Sequence, residues 1–313
     1  MGCWAIGGPW WHVEEGQEPS PSGWGVIDDA ESIRAVRAAL DLGVTLFDTA
    51  DVYGCGHSER VLGKALGSRR RDVVIATKFG KQFDEKKKHF FGHETSPGLI
   101  RSACEASLRR LGTDVIDLYQ FHWADYDVER AGEVRDVLEE LVAVGKIRAY
   151  GWSTNDVDRI RVFAEGSRCT AVQSFLSVLY DAPEVHRICD ELDLGNLAKQ
   201  PLAMGILTGK FDRDTTFPAD DIRSDWNASR GAFERRIRQL DALRGALTSG
   251  GRTLAQGALA WIWARNGRAV PIPGFRNEKQ VRENAAAMAK GPLTASELSE
   301  VGGILRRLEE ETV

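Results

Sequence analysis

Cysteine is sparse and scattered. The 313 residues hold five, Cys3, Cys55, Cys104, Cys169 and Cys189, odd in number and never spaced as CxxC. Reduced thiols in a cytoplasmic protein are the expected reading. No apolar run approaches the roughly 20 residues a membrane helix needs, and the start, "MGCWAIGGPWW", lacks the basic region and long apolar core of a signal peptide. A net charge of −5 argues against nucleic acid or an anionic membrane as the main partner. The patterns HxH, HExxH and GxSxG do not occur, which disfavours a metal-dependent or serine hydrolase on a barrel. His89 and His93 would pair as metal ligands only on a helix, and Gly92 disfavours one there, so no metal is expected. The dinucleotide fingerprint GxGxxG is also missing; "GCGHSER" is a partial echo.

What is present is an ordinary globular composition, 42% hydrophobic and 28% charged. Short apolar runs alternate with amphipathic stretches. Strands are expected over residues 2–6, 44–47, 73–76, 115–119, 147–151, 171–175, 194–197 and 269–272. Helices are expected over 29–42, 97–111, 131–144, 156–164, 183–192 and 254–265. Strands alternating with helices, with no linker, repeat or low-complexity break, predict one (β/α)8 barrel domain over residues 1–313 rather than a doubly wound sheet. Two long loops stand out, 10–26 after the first strand and 211–232 after the seventh. Long loops on a compact domain are often functional, and loops after barrel strands rise on the face where active sites sit. "DEKKKHFFGH" after the third strand is expected to be a solvated loop.

On a barrel, polar residues just beyond strand ends converge. Strand two ends at Asp48 with Tyr53 beyond it, strand three at Lys78 and strand four at His122. Each alone has a bland reading: a turn cap, a solvated amine, a satisfied core histidine. Together they bring proton-sharing groups from three adjacent strands to one rim.

"LFDTADVYG", "ATKFG", "SLRRLGTDVIDLYQFHW" and "GKIRAYGWS" resemble the signature blocks of the aldo-keto reductase superfamily, in order and spacing, from Gly2 to about Ala287. The resemblance implies a barrel that binds NADP(H) in extended form and reduces a carbonyl. Its catalytic tetrad falls on Asp48, Tyr53, Lys78 and His122. A carbonyl taking hydride at carbon needs a proton at oxygen, and a phenol of pKa about 10 is a sluggish donor at neutral pH. A neighbouring ammonium is expected to lower that pKa. Asp48 would hold Lys78 charged, and His122 would orient the substrate carbonyl.

The same resemblance points to cofactor contacts. Ser153 and Gln173 match nicotinamide-carboxamide positions. Thr154 stands where the family commonly has Asn, so Asn155 either supplies that contact or caps the helix at Asp156. Lys199 replaces an aromatic that stacks on nicotinamide. "PLAMGILTGK" resembles the pyrophosphate segment, with Leu202, Gly205, Leu207 and Lys210 as contacts. "IPGFRNEKQVREN" resembles the adenosine 2′-phosphate block, offering Gly274, Arg276, Asn277, Gln280, Glu283 and Asn284, with Lys279 expected to face solvent. Arg276 favours NADP(H) over NAD(H). Trp10, Trp11, Trp24, Trp123 and Trp226 fall in rim loops and would make a platform for a sugar, steroid-like or aromatic carbonyl. Relatives usually carry some twenty residues before the first strand, including a hairpin under the barrel; its absence predicts an exposed floor. The rival on the same barrel is a nucleotide-binding regulatory subunit with little or no turnover. The identity of the carbonyl is not legible.

Overall fold

The structure, a computed structural model, describes residues 1–310. Its strands in chain order are β1 (Trp11–His12), β2 (Ser20–Pro21), β3 (Leu46–Asp48), β4 (Val74–Phe79), β5 (Lys81–Asp84), β6 (His89–His93), β7 (Ile116–Phe121), β8 (Ile147–Trp152), β9 (Cys169–Phe175), β10 (Gly195–Lys199) and β11 (Ala269–Pro271). One sheet runs β11-β10-β9-β8-β7-β4-β3, with every neighbouring pair parallel. Residues 1–3 are the eighth stave. Gly2 bridges Asp48 on one side and Gly274 on the other. Cys3 N donates to Asp48 O at 2.7 Å and Gly2 N to Pro273 O at 2.9 Å. The sheet thereby closes, and the fold is the (β/α)8 barrel. Glycine is required at this seam, because a Cβ on Gly2 would lie 2.8 Å from Ile272 O.

The strand expected over residues 2–6 is cut short by a 3-10 turn at Ala5–Gly7. That turn supports the loop after β3. Gly54 has φ +57°, and a Cβ there would lie 1.9 Å from Gly7 O, so a side chain would push the Tyr53 loop off its seat. At the opposite end of the barrel the α-amino group of Met1 donates to Leu46 O at 2.7 Å. Ala76, Leu118, Ala171 and Leu197 are buried there, while Leu46 and Ala149 keep partial exposure.

Helices form where the sequence supplies stripes and stops. In Asp29–Asp41, Ala35, Val36, Ala39 and Leu40 make the buried face, and the Asp28 side chain accepts from Ala30 N and Glu31 N. Leu254–Arg265 opens with a capping box between Thr253 and Gln256. Glu278–Lys290 packs against both helices, which sets its N-terminus at the barrel mouth.

A second sheet, β2-β1-β6-β5, lies on the side where the barrel strands end. The stretch expected as a solvated loop is in fact the turn and second strand of the β5–β6 hairpin. Asp84 makes the turn by accepting from Lys86 N and Lys87 N. Phe90 supplies the apolar anchor, buried against Trp10 with Ala50, Val52 and Cys55. The two long loops meet each other. Trp24 and Asp221 form an antiparallel bridge, and Ile222 N donates to Gly23 O at 2.8 Å.

Candidate active site

Parallel register aims alternate side chains into the barrel. Asp48 ends β3, Lys78 pairs with Gln120 across β4 and β7, and Gln173 pairs with Leu197 across β9 and β10. Lys78, fully buried, is the hub. Its Nζ donates to Asp48 Oδ1 at 2.6 Å, to Thr49 O at 2.8 Å and to Tyr53 Oη at 3.2 Å. Asp48 Oδ2 accepts from Gln173 Nε2 at 2.7 Å and Gln120 Nε2 at 3.1 Å. All three ammonium protons and both carboxylate oxygens are thus engaged, which is what a buried ion pair requires. Burial works against the Lys78 charge, but Asp48 and Tyr53 hold its pKa above the ordinary lysine value.

Tyr53 is positioned by its neighbours. Trp4 stacks on its ring at 5.7 Å, and His122 meets it edge-on at 6.0 Å. The phenol pKa is raised, contrary to the expected lowering: burial is the largest cause and outweighs the opposing Lys78 charge. Tyr53 accordingly keeps its proton at pH 7, and the Lys78 ammonium opposes the burial that makes it a weaker donor. Burial, then Lys81, Lys78 and Lys199, pushes the His122 imidazole well below its usual range. It is neutral as well, and its buried Nδ1 has no partner among the described residues.

These groups open into a cavity of about 710 Å³ that runs from the barrel mouth to the Glu278–Lys290 helix. Asp48, Tyr53, His122, Gln173 and Lys199 line it, as do Leu202, Gly205 and Lys210, and, at and before that helix, Gly274, Arg276, Asn277, Gln280, Glu283 and Asn284. Lys199 donates to Ser153 Oγ at 2.9 Å, and burial and Lys78 lower its pKa to about 7. The segment around Met204 is bent, with left-handed φ at Gln200, Ala203 and Met204. Exposed Lys279 also lines the cavity.

Three cofactor candidates stand apart from the lining: Ser153, which meets it through Lys199, and Asn155 and Leu207. Asn155 accepts from Phe175 N at 2.9 Å and donates to Phe175 O, so its amide ties β8 to β9. It does not cap the following helix; Asp156 does, accepting from Asp158 N and Arg159 N. Leu207 packs in the core formed with Leu254 and Phe233. The five-tryptophan platform is also reduced. Trp10 and Trp24 line the cavity. Trp11 pairs with Pro21 in the small sheet, Trp123 stacks on His93 at 4.6 Å, and Trp226 packs on Phe217 and Phe233.

Sequence reasoning missed Trp4, Gln120 and Arg223. Trp4 was legible as an aromatic just past the first stave, and Gln120 as a polar residue at inward parity in an apolar strand. Arg223 carried no local signal. It is buried, holds Asp221 with two charge-assisted hydrogen bonds at 2.8 and 2.6 Å, and lies over the Trp24 ring at 4.6 Å.

The sequence pattern of the Aldo/keto reductase family matches residues 1–306. The chain is 32% identical to the aldo-keto reductase YhdN of Bacillus subtilis (strain 168), covering 100% of this chain and 91% of that protein. It is 32% identical to the NADH-specific methylglyoxal reductase of Escherichia coli (strain K12), covering 92% and 88%. The solved glycerol dehydrogenase AKR11B4 from Gluconobacter oxydans superposes with a TM-score of 0.82 at 34% identity, covering 98% of this chain and 90% of that one. An aldo/keto reductase from Klebsiella pneumoniae in complex with NADP and acetate gives 0.63 at 29% identity, covering 91% of each.

Proposed function

Because the chain belongs to the aldo/keto reductase family, we propose that it is an NADP(H)-dependent oxidoreductase that reduces an aldehyde or ketone, with Tyr53 as general acid. The observation that carries this reading is buried Lys78 Nζ, shared between Asp48 Oδ1 at 2.6 Å and Tyr53 Oη at 3.2 Å, two residues that line the cavity. Tyr53 gives its proton to the carbonyl oxygen, and Lys78 stabilises the phenolate left behind. Asp48 keeps Lys78 charged and aimed. Neutral His122 hydrogen-bonds the carbonyl and orients it.

The cavity suits a dinucleotide phosphate on its own chemistry. Lys210 is depressed by burial and by the charges of Arg223 and Arg276, with Asp221 the opposing charge; bound phosphates would relieve that repulsion. We assign the nicotinamide to Ser153, Gln173 and Lys199, the pyrophosphate to Leu202, Gly205 and Lys210, and the adenosine end to the block from Gly274 to Asn284. Bound there, the cofactor would supply the hydride. We place the enzyme in the cytoplasm, acting as one barrel domain on a small carbonyl compound.

Relatives differ in cofactor: the Escherichia coli protein is named NADH-specific, and the Klebsiella pneumoniae structure holds NADP. For this chain Arg276 decides. Its Nη2 donates to Val26 O and its backbone N to Gln280 Oε1, which holds Arg276 on the part of the cavity wall we assign to the adenosine. A charge-assisted contact contributes roughly 1.5–3 kcal/mol, about ten- to a hundred-fold in affinity. Wild type should favour NADPH over NADH by that factor, and Arg276→Ala should lose most of the preference through NADPH alone. Fluorescence titration of both cofactors checks it; an unchanged preference would shift the role to Lys279 or Lys210. A screen of NADPH consumption across aldehydes and ketones tests the reading as a whole. Tight NADPH binding with no turnover of any carbonyl would replace it with the regulatory-subunit reading.

A further inference from the structure

One lysine of the cavity wall, Lys81, takes no part in the chemistry proposed for Tyr53, Lys78 and His122. Lys81 opens β5, immediately after the strand that carries Lys78, and lines the same cavity as Tyr53 and His122. Among the described residues its ammonium has neither a hydrogen-bond acceptor nor an ion pair; what it meets is the face of Phe90, 4.5 Å from the ring centre. A partly buried ammonium with unsatisfied protons is costly unless a ligand or water completes it. Lys81 and His122 line the same cavity, and after burial the Lys81 charge is the largest influence depressing that imidazole, ahead of Lys78 and Lys199.

No carboxylate reaches ion-pair distance of Lys81 among the described residues, although Asp51 and Asp125 both act on its charge. Asp48 is held by Lys78. Asp51 is buried and raised to about 8, mainly by burial and Glu59, so it is largely protonated at pH 7. Asp125 is exposed. Two further donors on the cavity wall lack partners. The indole Nε1 groups of Trp10 and Trp24 are buried without a partner among the described residues, and an indole N–H only donates. Trp4, Trp10 and Trp24 add apolar walls.

We propose that the substrate is an oxo acid, a carbonyl compound whose carboxylate binds Lys81. This deepens the reductase reading and rests on it. A single ammonium suits a carboxylate monoanion, whereas phosphate recognition commonly draws on guanidinium forks. A neutral sugar or polycyclic carbonyl would leave the Lys81 charge unanswered.

The test compares succinic semialdehyde with butanal, a neutral aldehyde of the same chain length, and with glyceraldehyde phosphate. Wild-type kcat/KM should favour succinic semialdehyde over butanal by about ten- to a hundred-fold, mostly through KM. Lys81→Met should collapse that ratio and Lys81→Arg should keep most of it. A ratio near one in wild type, or one untouched by Lys81→Met, overturns the inference while butanal turnover leaves the reductase reading standing. A phosphorylated aldehyde that outperforms the oxo acid in a Lys81-dependent way overturns the carboxylate assignment. Should no carbonyl be reduced, the reductase reading falls, and tryptophan fluorescence decides the anion site alone. Saturable succinate binding, weakened in Lys81→Met and not shown by butanediol, supports it; no binding overturns it.

Discussion

Tyr53→Phe is expected to slow the chemical step of carbonyl reduction by about two to four orders of magnitude while leaving NADPH affinity close to wild type. The substitution removes one oxygen. The ring keeps its stacking on Trp4 and its edge contact with His122, so the loop after β3 has no reason to move. Lys78 retains Asp48 and Thr49 O as acceptors. What disappears is the proton that must reach the carbonyl oxygen. Single-turnover NADPH oxidation, with cofactor affinity measured in parallel, checks this; a variant keeping more than about a tenth of the wild-type rate would remove Tyr53 from the role.

Lys78→Met should be as damaging to the rate and, unlike Tyr53→Phe, damaging to the fold. Lys78 and Asp48 form an ion pair 2.6 Å long at essentially no exposure. Removing one partner of such a pair leaves a buried charge uncompensated, which costs about 3–5 kcal/mol. Gln120 and Gln173 would still donate to Asp48 Oδ2, but amide donors supply no net charge. Denaturant unfolding should show the loss in the midpoint. Adding Asp48→Asn to Lys78→Met should recover most of the stability and none of the activity, because the double variant buries no lone charge. A single variant within about 1 kcal/mol of wild type would mean that Lys78 is not the hub the distances describe.

The barrel was legible because parallel strands buried on both faces read as apolar runs. The runs ending at Asp48, Lys78 and Phe121, next to His122, each broke off in a polar residue where the pocket would be. Boundaries slipped where pairing, not composition, sets them: β4 extends to Phe79 and β10 to Lys199, both past the apolar run. The small sheet over the mouth was not legible. β1 and β2 are two residues each, too short for alternation, and β6 is anchored mainly by Phe90 packing on a distant loop. The rim tryptophans separated for a similar reason. Loop position placed all five near the mouth, but only tertiary contacts decided that Trp226 would join Phe217 and Phe233 rather than the cavity. The Tyr53 pKa is the instructive reversal. Sequence shows an ammonium nearby but not the depth of burial, and here burial is the larger effect.

That balance separates the possible acids by pH, because a general acid stops working as pH rises through its pKa. His122 lies well below 6.5, Lys199 is near 7, and Tyr53 lies above the ordinary phenol value of about 10. The decisive measurement is the pH dependence of single-turnover carbonyl reduction by the wild-type enzyme with NADPH bound. With Tyr53 as the acid, the rate should stay level through neutrality and fall only above about pH 10. A rate already falling through pH 7 would assign the proton to Lys199, and a rate lost by pH 6 to His122, and either result would contradict the account.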